Sequence, residues 1–374
     1  MNEMVLVVDD EPSTRAGVAV AVGSTGRRVV TCGDIESAQM VMERLPVRSV
    51  VTDMRLTGPF SDDGLRFIEF VVRHAPQSRV VLMTGSSSPE LRREARLRGA
   101  VAVLEKPFTT AQIDAVLTGD DTGGSTQPDI IDVPQIEDVL AGTRLYSVFQ
   151  PIVSIDSVEP LTFGYEALAR VDTPGPMHAP EFLFEYSSRK RCMTALELLC
   201  MENSVRDGAL LPPATSIFIN LHPAALADRR IVDGLIAATA QHGLVPQRVV
   251  LEITEQAAMS DVPQTLENVD ALAAAGFRFA FDDVGVAYSH LLHLERVRPA
   301  FMKISQEFGA DFHRNDFKAK IVRNVVALAQ DFGCDVILEG VEDPRVVDAA
   351  RAMGIRYVQG FLFGRPQRAK VWLD

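Results

Sequence analysis

The 374-residue chain is short of cysteine, tryptophan and positive charge, and each shortage closes off a class of protein. Its four cysteines, Cys32, Cys192, Cys200 and Cys334, fall in no CxxC or Cys/His ligand spacing. Neither a disulfide framework nor a zinc site is therefore expected, and the four read as small buried apolar residues. No apolar run approaches the roughly eighteen residues of a membrane span. The opening Met1-Asn2-Glu3-Met4 leads into a strand-like run with no basic n-region, so a cytosolic protein without a membrane partner is expected. Helix-turn-helix pairs, heptad seams and internal repeats are also missing.

The charge deficit is local. Residues 1–118 hold 14 Lys+Arg and 15 Asp+Glu, whereas the remainder holds 23 and 35. Phosphate binding by side chains needs clustered Lys and Arg, so an acidic second part predicts no DNA partner. A phosphate-ester substrate there would depend on divalent cations for its positive charge. The seven histidines are scattered, and His222, His290 and His293 read as surface or loop residues. The basic stretch Arg92–Arg98 is interrupted by Glu94 and Leu97, which suits a solvated helix face or a docking surface between domains. With 47% hydrophobic and 23% charged residues, the composition is that of a water-soluble chain long enough for two cores.

Both parts alternate strand and helix. The first reads as strands at Val5–Val8, Val47–Thr52, Val80–Thr84 and Val101–Leu104, with helices from about Ser13, Gly64, Ser88 and Thr109, which predicts a doubly wound parallel sheet. Gly119-Asp120-Asp121-Thr122-Gly123-Gly124-Ser125-Thr126 has linker composition, so the domains are expected at 1–118 and 135–374 with a flexible linker over 119–134. From Gln135 onward the alternation runs over some 240 residues, about the size of one barrel.

In parallel α/β sheets ligands sit beyond the carboxyl ends of the strands. Those positions in the first part hold Asp9-Asp10, Asp53, Thr84 and Lys106. Asp9, Asp10 and Asp53 could hold Mg²⁺, while Thr84 and Lys106 could meet the oxygens of a phosphoryl group on Asp53. The motifs Val7-Val8-Asp9-Asp10-Glu11-Pro12 and Glu105-Lys106-Pro107-Phe108 resemble a response-regulator receiver domain of flavodoxin-like fold. The resemblance implies that Asp53 is the phosphoacceptor, that Lys106-Pro107 is cis, and that a sensor histidine kinase or other phosphodonor is a partner. The chain departs from that family at Val103, where an aromatic is usual, and in a longer loop from Leu56 to Asp63.

In the second part, apolar runs end in polar groups rather than turn residues: Phe163-Gly164-Tyr165-Glu166, Ile217-Phe218-Ile219-Asn220, Val249-Val250-Leu251-Glu252, Phe279-Ala280-Phe281-Asp282-Asp283, Phe301-Met302-Lys303 and Val336-Ile337-Leu338-Glu339. Six such ends separated by helix-length stretches predict a (β/α) barrel with a metal-dependent site on one rim. Glu166, Asn220, Glu252 and Asp282 are oxygen ligands suited to Mg²⁺ or Mn²⁺, and Asp283 adds a carboxylate for a second ion. Two ions about 3.5–4 Å apart would activate a water against a phosphodiester. Lys303 would steady that water or offset transition-state charge, and Glu339 is a candidate general base. Glu342 would complete or orient the metal shell. Phe277, Phe279 and Phe281 alternate as barrel core.

These motifs, with Phe149-Gln150-Pro151-Ile152, Glu166-Ala167-Leu168-Ala169-Arg170 and Gln359-Gly360-Phe361-Leu362-Phe363-Gly364-Arg365-Pro366, resemble EAL phosphodiesterases, which linearise cyclic di-GMP. The resemblance implies a TIM-barrel-like (β/α)8 fold, two Mg²⁺ or Mn²⁺ ions per site, and a homodimer. By position it implies substrate contacts from Gln150, Arg170, Gln359 and Pro366, and loop support from Glu255. Val286, Ala287 and Ser305 stand where the family has Thr, Gly and Asp, which bears on turnover. The expected function is a response regulator hydrolysing cyclic di-GMP to linear pGpG under control of Asp53. The alternative is a weak or inactive cyclic di-GMP receptor acting through protein contacts.

Overall fold

The computed structural model describes residues 3–58, 62–117, 129–142, 144–254, 263–284 and 297–373. They fall into two compact units, one of Met1–Arg144 with Val171–Arg191, the other of Leu145–Arg170 with Cys192–Asp374. The expected domain boundary is therefore crossed by a short segment of the second part that packs with the first. Among the described residues no helix is long and apolar enough to cross a membrane.

The first unit is built on a parallel sheet in the order β5-β4-β3-β1-β2-β6. Its strands are β1 (Met4–Val8), β2 (Arg28–Cys32), β3 (Ser49–Asp53), β4 (Arg79–Thr84), β5 (Ala102–Glu105) and β6 (Asp129–Asp132). The central strands are buried on both faces, which is why they read as unbroken Val/Leu runs instead of alternating. Helices α1 (Pro12–Gly23), α2 (Ile35–Arg44), α3 (Asp63–His74), α4 (Pro89–Arg98) and α5 (Thr110–Leu117) connect them. The pair β2 and α2 is absent from the expected element list. Its strand signal is only Val29-Val30-Thr31-Cys32, bounded by Arg28 and Gly33, and it is completed by pairing with β1. Gly64, where α3 begins, lies so close to β3 that a Cβ there would stand 2.2 Å from the Asp53 carbonyl oxygen.

The linker expected over 119–134 needs correction in its second half. Residues Asp129–Asp132 form β6 and pair in parallel with β2, from Arg28↔Asp129 to Thr31↔Asp132. The reason is chemical: Ile130 and Ile131 stand together between Asp129 and Asp132, and the edge of β2 offers unpaired backbone groups to a strand that can cover it. After α6 (Ile136–Leu140) the chain enters the second unit, and it returns to the first as α7 (Pro180–Arg189).

The second unit is a closed eight-stranded barrel, ordered β10-β11-β12-β13-β14-β7-β8-β9. The strands are β7 (Leu145–Ser154), β8 (Leu161–Val171), β9 (Ser216–Asn220), β10 (Val249–Thr254), β11 (Arg278–Val284), β12 (Phe301–Ile304), β13 (Asp335–Leu338) and β14 (Tyr357–Gln359). The expected TIM-barrel-like (β/α)8 fold is present, with one strand reversed: β7 runs antiparallel to β14. Only residues 155–160 separate β7 from β8, too few for a crossover helix, so the chain turns back on itself as a hairpin.

Ile152, Phe218, Val250, Ala280, Phe301, Ile337 and Tyr357 come from seven strands and form one buried cluster that fills the barrel interior. A larger core, including Val205, Ile217, Leu235, Leu251, Val322 and Leu338, packs the outer face of the strands against the helices. Phe279 and Phe281 belong to that outer core, with Phe277 just before β11.

Candidate metal-dependent site in the barrel

The interior cluster sets the position of the polar groups. Strand side chains repeat every two residues, so a residue two beyond an interior apolar one also points inward, one layer higher. Phe218, Val250, Ala280, Phe301, Ile337 and Tyr357 are followed two residues later by Asn220, Glu252, Asp282, Lys303, Glu339 and Gln359. On antiparallel β7 the direction reverses, and Gln150 stands two residues before Ile152.

Lys303 is the centre of this layer. Fully buried, its Nζ lies 2.7 Å from Glu252 Oε1 and from Glu339 Oε1, and 3.4 Å from Glu166 Oε2 and Asp282 Oδ1. Asn220 Nδ2 donates to Glu166 Oε1 at 2.8 Å. Gln359 Nε2 donates to Glu166 Oε2 at 2.6 Å and to Gln150 Oε1 at 3.2 Å, and Gln150 in turn donates to the Gly364 carbonyl. A Cβ on Gly360 would meet the Val341 carbonyl oxygen at 2.1 Å, so glycine lets the strand end bearing Gln359 press against the turn after Glu339.

Asp283 has φ +56°, in the left-handed region that aspartate tolerates better than most residues. A register shift between Phe281 and Val284 accompanies it. The irregularity brings ligand atoms of Asp282, Asp283 and Glu339 within 4.8 Å of one another. Backbone strain held at a cluster of acids is typical of a site that must present them together.

Electrostatics follow from burial around one cation. Burial and the Glu166 charge push the Glu252 carboxyl well above its ordinary value. Glu339 is raised to about 7 by burial, against the pull of Lys303. Burial acts the same way on Asp283, helped by Asp282. Burial would also raise Glu166, but Lys303 and the bonds from Gln359 and Asn220 bring it below the usual range. Lys303 is driven upward, because four carboxylates outweigh its own desolvation.

This donor set fits a hard divalent cation. It is made of oxygens, its negative charge exceeds what one ammonium can balance, and Glu252 Oε2 is buried with no hydrogen-bond partner among the described residues. Glu166, Asn220, Glu252, Asp282 and Asp283 are the residues available to hold it, with Glu339 beside them.

Other expected positions are placed differently. Arg170 lies four residues beyond Glu166 on β8, roughly 13 Å further along the same face, and its guanidinium donates to the Ala169 carbonyl. Pro366 follows the Gly364 turn that packs on Pro151 and Trp372. Glu342 is exposed and joins none of these hydrogen bonds or ion pairs. Ser305 is buried, its hydroxyl without a partner among the described residues, at the start of the short helix Gln306–Gly309. Glu255, Val286, Ala287, His290 and His293 lie outside the described residues.

One residue escaped the sequence reading. Glu197, on helix α8 (Met193–Gly208), is 1% exposed, and its Oε1 accepts the His222 backbone N–H at 2.9 Å, bracing the turn two residues after Asn220. Burial raises its pKa to about 7. A lone acid inside Leu196-Glu197-Leu198-Leu199-Cys200-Met201 was the available signal.

In the first unit, Lys106 Nζ lies 2.6 Å from Asp53 Oδ1 and 2.7 Å from Asp9 Oδ2. Asp53 Oδ2 accepts the Arg55 N–H, while Asp10 is exposed. Burial raises the Asp9 pKa, opposed by Lys106. The Thr84 hydroxyl donates to the Ser86 carbonyl. The Lys106-Pro107 peptide is cis, in agreement with the expectation. Val103 is buried, and Phe60 with its neighbours Pro59 and Ser61 lies outside the described residues.

Comparison with known proteins matches a domain family to each part of the chain. The EAL domain family model matches residues 135–366, and the response regulator receiver domain model matches residues 5–118. The chain is 27% identical over 396 residues to the cyclic di-GMP phosphodiesterase RocR of Pseudomonas aeruginosa, covering 100% of this chain and 99% of that protein. Among solved structures, the PaMucR phosphodiesterase in complex with c-di-GMP superposes with a TM-score of 0.55 at 29% identity, over 61% of this chain and 99% of that one. The Klebsiella pneumoniae BlrP1 manganese/cy-diGMP complex gives 0.55 at 30% identity, over 63% and 58%.

Proposed function

The chain belongs to the EAL domain family, and on that premise we propose that it is a two-component response regulator whose barrel hydrolyses cyclic di-GMP to linear pGpG under control of Asp53. The observation that carries the reading is the buried Lys303 ammonium ringed by Glu166, Glu252, Asp282 and Glu339, next to the strained Asp283. A receptor needs a pocket; it does not need this excess of inward carboxylates.

Mg²⁺ or Mn²⁺, two per barrel site, would polarise the phosphodiester and lower the pKa of a water. Glu339, whose carboxyl burial pushes up to about 7, would take the proton from that water while Lys303 holds its Oε1 at 2.7 Å. The water oxygen joins phosphorus, the P–O bond to one ribose breaks, and the departing ribose oxygen takes the proton that Glu339 removed from the water. Lys303 also offsets charge gathering on the phosphoryl oxygens. Gln150 and Gln359 orient Glu166 and the neighbouring wall, and Arg170, nearer the rim, offers a guanidinium fork to the second phosphate.

In the receiver, Asp53 accepts a phosphoryl group from a histidine kinase or small acyl-phosphate donor; Asp9, Asp10 and Asp53 are the residues that would hold Mg²⁺, which would offset the charge of that group. Lys106 and Thr84 then turn toward the phosphoryl oxygens. We place the protein in the cytosol and expect a homodimer. The test is release of pGpG from cyclic di-GMP by purified protein with Mg²⁺ or Mn²⁺, identified by chromatography. Tight binding with no product at saturating metal refutes the hydrolase reading.

A further inference from the structure

Two segments outside the receiver match, β6 and residues 171–191, pack within the receiver's own unit. The second of these lies inside the EAL match and leaves β8 directly after Arg170. What holds each segment is specific.

Strand β6 is held through Arg15 of α1, a guanidinium only 9% exposed. Its Nη1 donates to the Asp9 carbonyl at 2.8 Å, and its Nε lies 3.6 Å from Asp132 Oδ1. Thr31 Oγ1 donates to the same Asp132 oxygen at 2.5 Å. One buried cation therefore spans the gap between the acid pocket around Asp53 and the strand that follows the linker. Asp9 is itself gripped by Lys106, the group that must turn if Asp53 is phosphorylated.

Helix α7 is held through Asp34, at the start of α2 and two residues beyond β2. This nearly buried carboxylate accepts the Ser37 N–H at 2.9 Å, the Tyr186 hydroxyl at 2.5 Å and Lys190 Nζ at 3.3 Å. Tyr186 is completely buried. Further along the two helices Arg189 pairs with Glu43 at 2.6 Å, Arg44 pairs with Glu185, and the Arg44 guanidinium stacks 5.3 Å from the Phe182 ring centre. A surface helix docked for packing alone would not bury a tyrosine hydroxyl on an acid. Such a bond fixes one register and is lost if either helix shifts.

We propose that the face formed by β2, β6 and α2 is the receiver's output surface, and that its partner is the chain's own segment 171–191. This rests on Asp53 being the phosphoacceptor. A phosphoryl group on Asp53 draws Lys106 away from the Asp9 carboxylate, and the resulting shift of Asp9 reaches Arg15 through the Asp9 carbonyl that it holds, and so Asp132. The change at β6 passes along β2 to Asp34 and so to Tyr186. Segment 171–191 is covalently continuous with β8, which carries Glu166 and Arg170, and with α8, which carries Glu197. Both of its ends therefore enter elements that shape the barrel site.

The experiment uses the full chain with beryllium fluoride as the acyl-phosphate mimic, reading hydrogen exchange of peptides spanning 129–134 and 180–190 alongside pGpG release. In wild type the mimic should change exchange in both peptides by about fivefold or more. Tyr186→Phe and Asp132→Asn should keep basal hydrolysis within about twofold and still bind the mimic, yet lose the change in activity. Arg189→Glu, at a partly exposed ion pair, should weaken the response without abolishing it. Unchanged exchange in wild type, or a full response in both Tyr186→Phe and Asp132→Asn, overturns the proposal. Exchange does not depend on catalysis, so responding peptides in a protein that releases no pGpG would refute the hydrolase reading and uphold this one.

Discussion

Each unit places a lysine among carboxylates at the carboxyl ends of parallel strands, yet the two lysines are held in opposite ways. Lys106 sits on the loop after β5, a quarter exposed, between two acids. Lys303 points into a closed barrel, has no solvent contact, and is shared by four acids. An open sheet leaves its site on an edge where a loop lysine can exchange partners. A barrel forces every inward side chain into one volume and fixes the charge there. The first arrangement suits a site that must change state, the second a site that must be preorganised.

The comparison breaks most visibly if the lysines are removed. Lys303→Met strands several buried carboxylates and should destabilise the metal-free protein by about 3–5 kcal/mol. Divalent metal should restore part of that loss, and pGpG release should fall by at least about 100-fold. Lys106→Met should cost under about 1 kcal/mol and leave basal hydrolysis intact, while removing the response to beryllium fluoride. Thermal melts with and without Mn²⁺, read beside the turnover assay, check all of these; equal destabilisation by the two substitutions would contradict the contrast.

A second, smaller effect concerns Asp53. Its replacement by alanine should leave turnover within about twofold but make activity indifferent to the mimic. If Asp53→Ala and wild type respond alike, control runs through another residue.

The smallest effect separates burial from catalysis. Glu197 has a folded pKa raised to about 7 from an ordinary value near 4.5. Its contribution to stability is complete below the unfolded value and is lost as pH rises through about 7, because the unfolded chain gives up the proton first. Glu197→Gln should therefore gain on wild type by about 2 kcal/mol between roughly pH 5 and pH 8. A stability gap that stays constant with pH, measured by denaturant melts, would mean the carboxyl is ordinary in the folded state.

Much of this contrast was legible in the sequence, because both sites obey a rule about strand ends. Asp53 and Lys106, or Glu252, Asp282, Lys303 and Glu339, are read directly off apolar runs. Strand β2 was missed because Val29-Val30-Thr31-Cys32, between Arg28 and Gly33, carries little signal until β1 pairs with it. Gln150 came from resemblance alone: strand-end reasoning fails on an antiparallel strand, where the site residue precedes the interior one. The bond from Tyr186 to Asp34 joins residues 152 apart, and no local pattern announces it. Strand and helix periods write local facts into sequence, whereas a buried polar pair between distant elements becomes visible only after folding.

The central claim is that the barrel's buried charge cluster hydrolyses cyclic di-GMP with Glu339 as base. It is tested most directly by single-turnover formation of pGpG at saturating Mn²⁺, comparing wild type with Glu339→Gln, with cyclic di-GMP affinity measured on the same samples. The account predicts product from wild type, a rate lower by about 100-fold or more in the variant, and affinities within about threefold of each other. Equal rates in the two proteins, or binding without product in wild type, would contradict it.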